Sequence, residues 1–246
     1  MSTDIRDANR EAWNVGRYET WVRAMGDPTA EAVRVVADPK HVLRRLLAHL
    51  GEVADRRICS VQGSHGRIAV ALALLGAEAT VIDFAEENRR YALALAEAAG
   101  VHIRYEIADV MEAGALDLPP FHTLLLELGV LHYHQDLAAF FRVMASLCLP
   151  GGRLVLNEFH PVERKLFHDF GDAPRDYFST GLVVGDVPNP VSGGASLGTC
   201  AYRFWTLAEV VSALLGAGFR LTALDEHPDW TNPAIPGTYT LVAAHS

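Results

Sequence analysis

Two acidic side chains and one glycine-bearing loop are spaced to hold a nucleoside. The loop is Gln62-Gly63-Ser64-His65-Gly66, the first carboxylate is Asp83, 20 residues after Gly63, and the second is Asp109. Gly63 and Gly66 let the main chain approach a ligand closely, and a helix starting near Gly66 aims its free N–H groups and positive dipole end at a carboxylate or phosphate. Asp83, ending a strand, can accept two hydrogen bonds from ribose hydroxyls, and Asp109 one from an adenine amino group. Each also has a plain structural reading: an ordinary strand-to-helix turn, an N-cap ahead of Glu86, and another helix cap.

A second group offers proton chemistry. Glu127, His132, Tyr133 and His134 follow the fourth expected strand, and Glu158 and His160 the fifth. Histidine titrates near neutral pH, so His132 and His160 lead as candidate catalytic bases, with Tyr133 as an orienting hydroxyl or an aromatic wall. A purely structural role is open to each of them. The His-x-His at 132 and 134 has no recognised partner spacing, so no metal site is expected. Cys59 lies inside the first strand as a small buried hydrophobe.

The elements that position these residues alternate. Arg57 to Val61 reads as a strand, Arg67 to Leu75 as a helix, Ala79 to Ile82 as a strand, and Glu86 to Ala99 as a helix closed by Gly100. Strands follow at His102 to Ile107, His122 to Leu126 and Arg153 to Asn157, the last fed by the turn Pro150-Gly151-Gly152, with a helix from Gln135 to Leu147 before it. Such alternation implies a parallel sheet. After a helix over Leu207 to Leu215, strands Arg220 to Asp225 and Thr238 to Ala243 are expected to pair antiparallel. The connection between them carries Pro228, Pro233 and Pro236 and forms a rigid loop, not a crossover helix. Outside the alternation stand residues 1–50, with helices near Asp4 to Trp13, Thr29 to Ala37 and His41 to Leu50, and the irregular stretch from Phe159 to Arg203.

Composition narrows the function. The 246 residues suffice for one α/β domain with an added cap. A formal charge of −9, from 21 Lys and Arg against 30 Asp and Glu, disfavours nucleic acid. No apolar run approaches the roughly 20 residues that span a bilayer. The polar, acidic start and three scattered cysteines point to a reducing, cytoplasmic setting and no membrane partner.

Four segments, Ile58-Cys59-Ser60-Val61-Gln62-Gly63-Ser64-His65-Gly66, Val81-Ile82-Asp83-Phe84, Ala108-Asp109-Val110 and Leu149-Pro150-Gly151-Gly152-Arg153-Leu154, resemble in order the motifs of class I S-adenosylmethionine-dependent methyltransferases. The resemblance covers residues 50–158 and extends to the terminal hairpin. It implies a Rossmann-like, doubly wound, seven-stranded α/β sheet with an antiparallel C-terminal hairpin. It divides the chain into a helical lid (1–50), a cofactor-binding core (51–158), a substrate cap (159–204) and a C-terminal part of the core (205–246). It implies S-adenosylmethionine as cofactor and a small molecule as methyl acceptor. Gly63, Ser64 and Gly66 would meet the methionine part, Asp83 the ribose, and Asp109 with Phe84 the adenine; Val110, Glu127 and Leu128 complete the core side of that site. Ala12 to Trp21 is similar to the lid of small-molecule members, with Trp13 and Tyr18 closing over the cofactor or simply packing on the core. The chain departs from the family at Ser60, Val61 and Gln62, where an acidic residue and a further glycine are usual. Two other readings stay open: an NAD-dependent oxidoreductase, and a methyltransferase fold repurposed as a cyclase or binding module. Neither the acceptor nor the oligomeric state is legible.

Overall fold

The computed structural model describes residues 3–169, 175–191 and 196–246. At its centre is β1 (Arg57–Val61), whose residues after Arg57 are all buried, as a near-continuous apolar run requires in a parallel sheet covered on both faces. β2 (Glu78–Asp83) and β4 (Phe121–Glu127) flank it in parallel, with Val61 level with both Ile82 and Leu126. β3 (Arg104–Ile107) lies beyond β2. β5 (Cys148–Phe159), β9 (Pro236–His245) and β8 (Phe219–Pro228) lie beyond β4, giving the order β3-β2-β1-β4-β5-β9-β8. β9 runs antiparallel to β5 and to β8. This is the expected seven-stranded, doubly wound sheet with its antiparallel terminal pair.

Side chains alternate across the sheet with a period of two. Ile58, Val81, Leu125 and Val155 face a core shared with α3 (Pro28–Ala37), α6 (Arg67–Leu74) and α7 (Glu86–Ala98). Cys59, Ile82, Leu124 and Leu154 face a second core under α8 (Leu137–Leu147) and α9 (Leu207–Gly216), where Phe140, Phe141 and Met144 are fully buried. Each such large side chain contributes about 1.5–3 kcal/mol by leaving water. Caps set the helix starts: Asp136 accepts from Ala139 N, and Thr206 and Glu209 form a reciprocal capping box.

The elements differ from the sequence reading at several points. β8 reaches Pro228 and β9 begins at Pro236, so of the three prolines expected in the connecting loop only Pro233 lies between the strands. Gly16, in the left-handed region at φ 59°, divides the N-terminal segment into α1 (Thr3–Asn14) and an unforeseen α2 (Arg17–Met25). The single helix expected over His41 to Leu50 is two short ones, α4 (Pro39–Val42) and α5 (Leu47–Leu50). A tight turn between them, Leu46 N to Leu43 O at 2.7 Å, points both leucines into the core. β5 starts at Cys148, so Pro150-Gly151-Gly152 is an irregularity within the strand, opposite the shift between Phe121 and Thr123.

In the stretch after β5, residues 163–167 form a short wide helical turn, and β6 (Val183–Asp186) pairs antiparallel with β7 (Thr199–Tyr202). Residues 170–174 and 192–195 of that stretch lie outside the described residues. α1 packs on this hairpin through Ala12, Val187, Cys200 and Tyr202. Among the described residues no helix is long and apolar enough to cross a membrane.

Candidate active site

Parallel strands place their C-terminal ends on one edge, and a cleft opens where the chain leaves β1 and β4 in opposite directions. Two neighbouring hollows, of about 560 Å³ and about 670 Å³, share Gln62, Phe84 and Tyr133 as lining residues. Gly63, Ser64, Asp83, Glu127 and Leu128 line the first, together with Trp13 and His132. Asp109 lines the second with Arg6 and Asn9 of α1.

The loop after β1 folds back so tightly that a Cβ on Gly63 would stand 2.5 Å from Ser60 Oγ. Gln62 and Ser64 adopt left-handed backbone conformations, φ 50° and 47°, and so does Leu128 after β4, φ 43°. Each costs on the order of 1 kcal/mol in a non-glycine residue. Three of the four non-glycine residues with such a backbone among the described residues thus stand at the two strand ends that open the cleft, the fourth being Asp55 ahead of β1, and Gln62 and Ser64 lie in the loop that departs from the family pattern.

Asp83 is buried and accepts from Ser64 N (3.1 Å), Ala85 N (2.9 Å) and Asn88 Nδ2 (3.4 Å). Asn88 in turn accepts from Trp21 Nε1 at 2.9 Å. Burial pushes the Asp83 carboxyl above its ordinary range, and the Ala85, Ser64 and Asn88 donors pull against that rise. Asp109 accepts from Met111 N at 2.9 Å, a cap, and also pairs with Arg6 at 3.1 Å.

Sequence reasoning missed Arg17. Its guanidinium is fully buried, stacked 4.0 Å from the Trp13 ring, with Nη1 donating to Pro188 O at 2.7 Å. Nε and Nη2 have no hydrogen-bond partner among the described residues, and burial lowers its pKa to about 10. The available signal was spacing: Arg17 stands four residues from both Trp13 and Trp21.

His132 lines the cleft against Tyr133, Tyr202 and Phe204, at ring separations of 4.4, 5.1 and 5.8 Å. Burial first, then Arg164 and His134, lower its pKa to about 3. His134 is held by Gln62, Nε2 to Oε1 at 3.0 Å. Glu158 is occupied in shaping the turn after β4, accepting from Gly129, Val130 and Leu131 N at 2.6, 2.8 and 3.0 Å. Among the described residues no group of three or more His, Cys, Asp or Glu side chains is placed to hold a metal ion.

Four candidate residues stand away from the cleft. Tyr18 packs edge-on against Tyr91 at 5.9 Å, with Arg90 stacked on it at 3.9 Å. Gly66, φ 72°, touches α7, where a Cβ would meet Ala92 Cβ at 2.5 Å; its glycine serves helix packing. Val110 is buried in the core beneath α8. His160 is turned toward the terminal hairpin, where Nε2 meets Glu226 at 2.8 Å and Nδ1 accepts from Val162 N at 3.1 Å, so it does not reach the cleft as a base.

Residues 61–156, from the end of β1 into β5, match the family model described as a methyltransferase domain. The chain is 34% identical over 172 residues to a demethylmenaquinone methyltransferase of Thermus thermophilus, covering 66% of this chain and 69% of that one. The chain belongs to the S-adenosylmethionine-dependent methyltransferases. A ubiquinone biosynthesis O-methyltransferase of Xanthomonas euvesicatoria is 32% identical over 106 residues, 43% of this chain; the match spans 44% of that relative's length. The fold is shared with magnesium protoporphyrin IX methyltransferase from Synechocystis, solved with S-adenosylhomocysteine, at a TM-score of 0.64 and 19% identity over 99% of this chain and 100% of that one. For a methyltransferase the nicotinamide reading of the βαβ unit loses its motivation.

Proposed function

We propose that this protein transfers a methyl group from S-adenosylmethionine to a small-molecule acceptor. When bound, that cofactor supplies a methyl group activated on a sulfonium. The observation that carries the reading is Asp83: a buried carboxylate at the end of β2, lining the cleft beside a loop whose glycine cannot carry a side chain. The residues present fit the cofactor. Asp83 would hold the ribose hydroxyls, Asp109 and Phe84 the adenine, and the main chain of Gly63 and Ser64 the amino-acid part, with Glu127 and Leu128 closing the β4 side. Arg17 offers a buried cation with two unpartnered nitrogens for the carboxylate.

Residues 1–50 then act as the lid, 51–158 and 205–246 as the core, and 159–204 as the cap over the acceptor, in a cytoplasmic protein that needs no nucleic acid. Trp13 excludes water above the cleft, while His132 and Tyr133 form the wall against which the acceptor is positioned. With its pKa at about 3, His132 is neutral at physiological pH and serves as a hydrogen-bonding partner more than as a titrating base. The relatives' names, O-methylation in ubiquinone biosynthesis and methylation of demethylmenaquinone, support a small acceptor.

Isothermal calorimetry with S-adenosylhomocysteine and with NAD tests the reading. Binding of the former and not the latter is expected, with Arg17→Met lowering affinity about tenfold, or ~1.4 kcal/mol. Absence of S-adenosylhomocysteine binding refutes it.

A further inference from the structure

Resting on that methyltransferase reading, we propose that the acceptor is a planar aromatic molecule bound through an ionised ring hydroxyl, whose oxyanion is received by Arg164. The walls of the first hollow away from the glycine loop are rings: Trp13 stands edge-on to Tyr133 at 6.0 Å, Tyr133 and Tyr202 are 5.5 Å apart, and Phe204 stacks with Tyr202 at 6.1 Å. Such surfaces take a flat ring by offset or edge contacts.

Arg164 is the cation in this wall. Its guanidinium lies 3.7 Å over the Phe159 ring, which fixes its plane, and Nη1 meets His168 Nδ1 at 2.9 Å. Nε approaches Glu163 at 3.3 Å, and Glu163 also reaches His168 at 3.0 Å. His168 engages Nη1, while Nε, despite the ion pair with Glu163, makes no hydrogen bond, and no hydrogen bond among the described residues engages Nη2. The charged and titratable groups around Arg164 are Glu163, His168, Glu158, Tyr133, Tyr202 and His132. Of the two carboxylates, Glu163 is shared between two partners, and Glu158 is spent on main-chain N–H groups. Burial lowers the pKa of Arg164, and the nearby Glu163 and Glu158 pull against that fall.

A guanidinium in a partly desolvated, ring-lined pocket favours an oxyanion over the neutral hydroxyl and repels an ammonium. The hydroxyl proton leaves to bulk water. No side chain with a near-neutral pKa has to take it, which accords with a neutral His132 whose Nε2 is shielded and unpartnered.

The probe is 4-nitrophenol, whose anion absorbs visible light and whose neutral form does not. It is titrated with the full-length protein in the presence of S-adenosylhomocysteine, at a pH where most of it is protonated in solution. Binding should raise the anion absorbance about threefold or more. Arg164→Gln should abolish the rise, Arg164→Lys should keep part of it, and calorimetric S-adenosylhomocysteine affinity should be unchanged in both. Should Arg164→Gln fail to fold, Phe159→Leu, which removes the ring beneath the guanidinium, should shrink the rise, and an undiminished rise overturns the proposal. It is equally overturned by a probe that does not bind, that binds without a rise, or whose rise survives Arg164→Gln, and by tighter competition from benzylamine than from phenol. Failure of S-adenosylhomocysteine itself to bind refutes the methyltransferase reading instead; the same titration without it still decides the oxyanion site.

Discussion

The side chain of Asn9 grips the main chain of Ala201 at both its polar groups: Nδ2 donates to Ala201 O at 3.2 Å, and Ala201 N donates to Oδ1 at 3.0 Å. An amide side chain thereby pairs with β7 as a neighbouring strand would. It ties α1, which borders the second hollow, to the hairpin that borders the first.

Asn9→Ala is expected to destabilise the protein by about 1–3 kcal/mol, because the main chain of Ala201 loses two hydrogen bonds in a half-buried setting. Hydrogen exchange should quicken in α1 and β7 together, with β1 and β4 unaffected. Faster exchange in α1 alone would show that the amide does not couple the two.

Asp83→Ala should weaken S-adenosylhomocysteine binding by about 1–3 kcal/mol through lost charge-assisted hydrogen bonds. Burial raises the pKa of Asp83 in the folded protein, so acidification protonates this carboxyl at a higher pH than an ordinary aspartate. Cofactor affinity should accordingly decline on the acid side at a higher pH than an ordinary aspartate would give. Calorimetry across acidic pH on wild type and Asp83→Asn checks this, and the decline should be absent in the variant.

His132, at a pKa of about 3, contributes no ionisation to the pH dependence of kcat/KM between roughly pH 5 and 8. His132→Gln should leave the shape of that profile unchanged while lowering its height. A limb near the ordinary histidine value that disappears in His132→Gln would contradict the assignment.

Gly66→Ala combines a left-handed backbone with a collision against Ala92 on α7, and should cost about 2 kcal/mol or more in urea unfolding. The folded fraction should bind the cofactor with unaltered affinity. A selective loss of affinity at unchanged stability would return Gly66 to the binding loop.

Patterns within a short stretch of chain were enough to read the sheet. Ile58 to Val61, Val81 with Ile82, and Leu124 to Leu126 are apolar runs of strand length separated by helix-length segments, and that alternation by itself implies a parallel sheet with Gly63, Asp83 and Asp109 along one edge. What it could not decide was which of two neighbours with the same chemistry faces the cleft. Gly63 turns against Ser60 of its own strand, while Gly66 meets Ala92 of a helix 26 residues on. His132 and His160 are alike as sequence, yet one lies among the rings of β7 and the other is drawn to Glu226 on β8. Arg17 and Arg164 carried no local signal of burial, since a cation is ordinarily solvated. Only the tertiary contacts, Arg17 against Trp13 and Pro188 O and Arg164 over Phe159, bury the first and partly bury the second, because burial depends on contacts that a short stretch of sequence does not show.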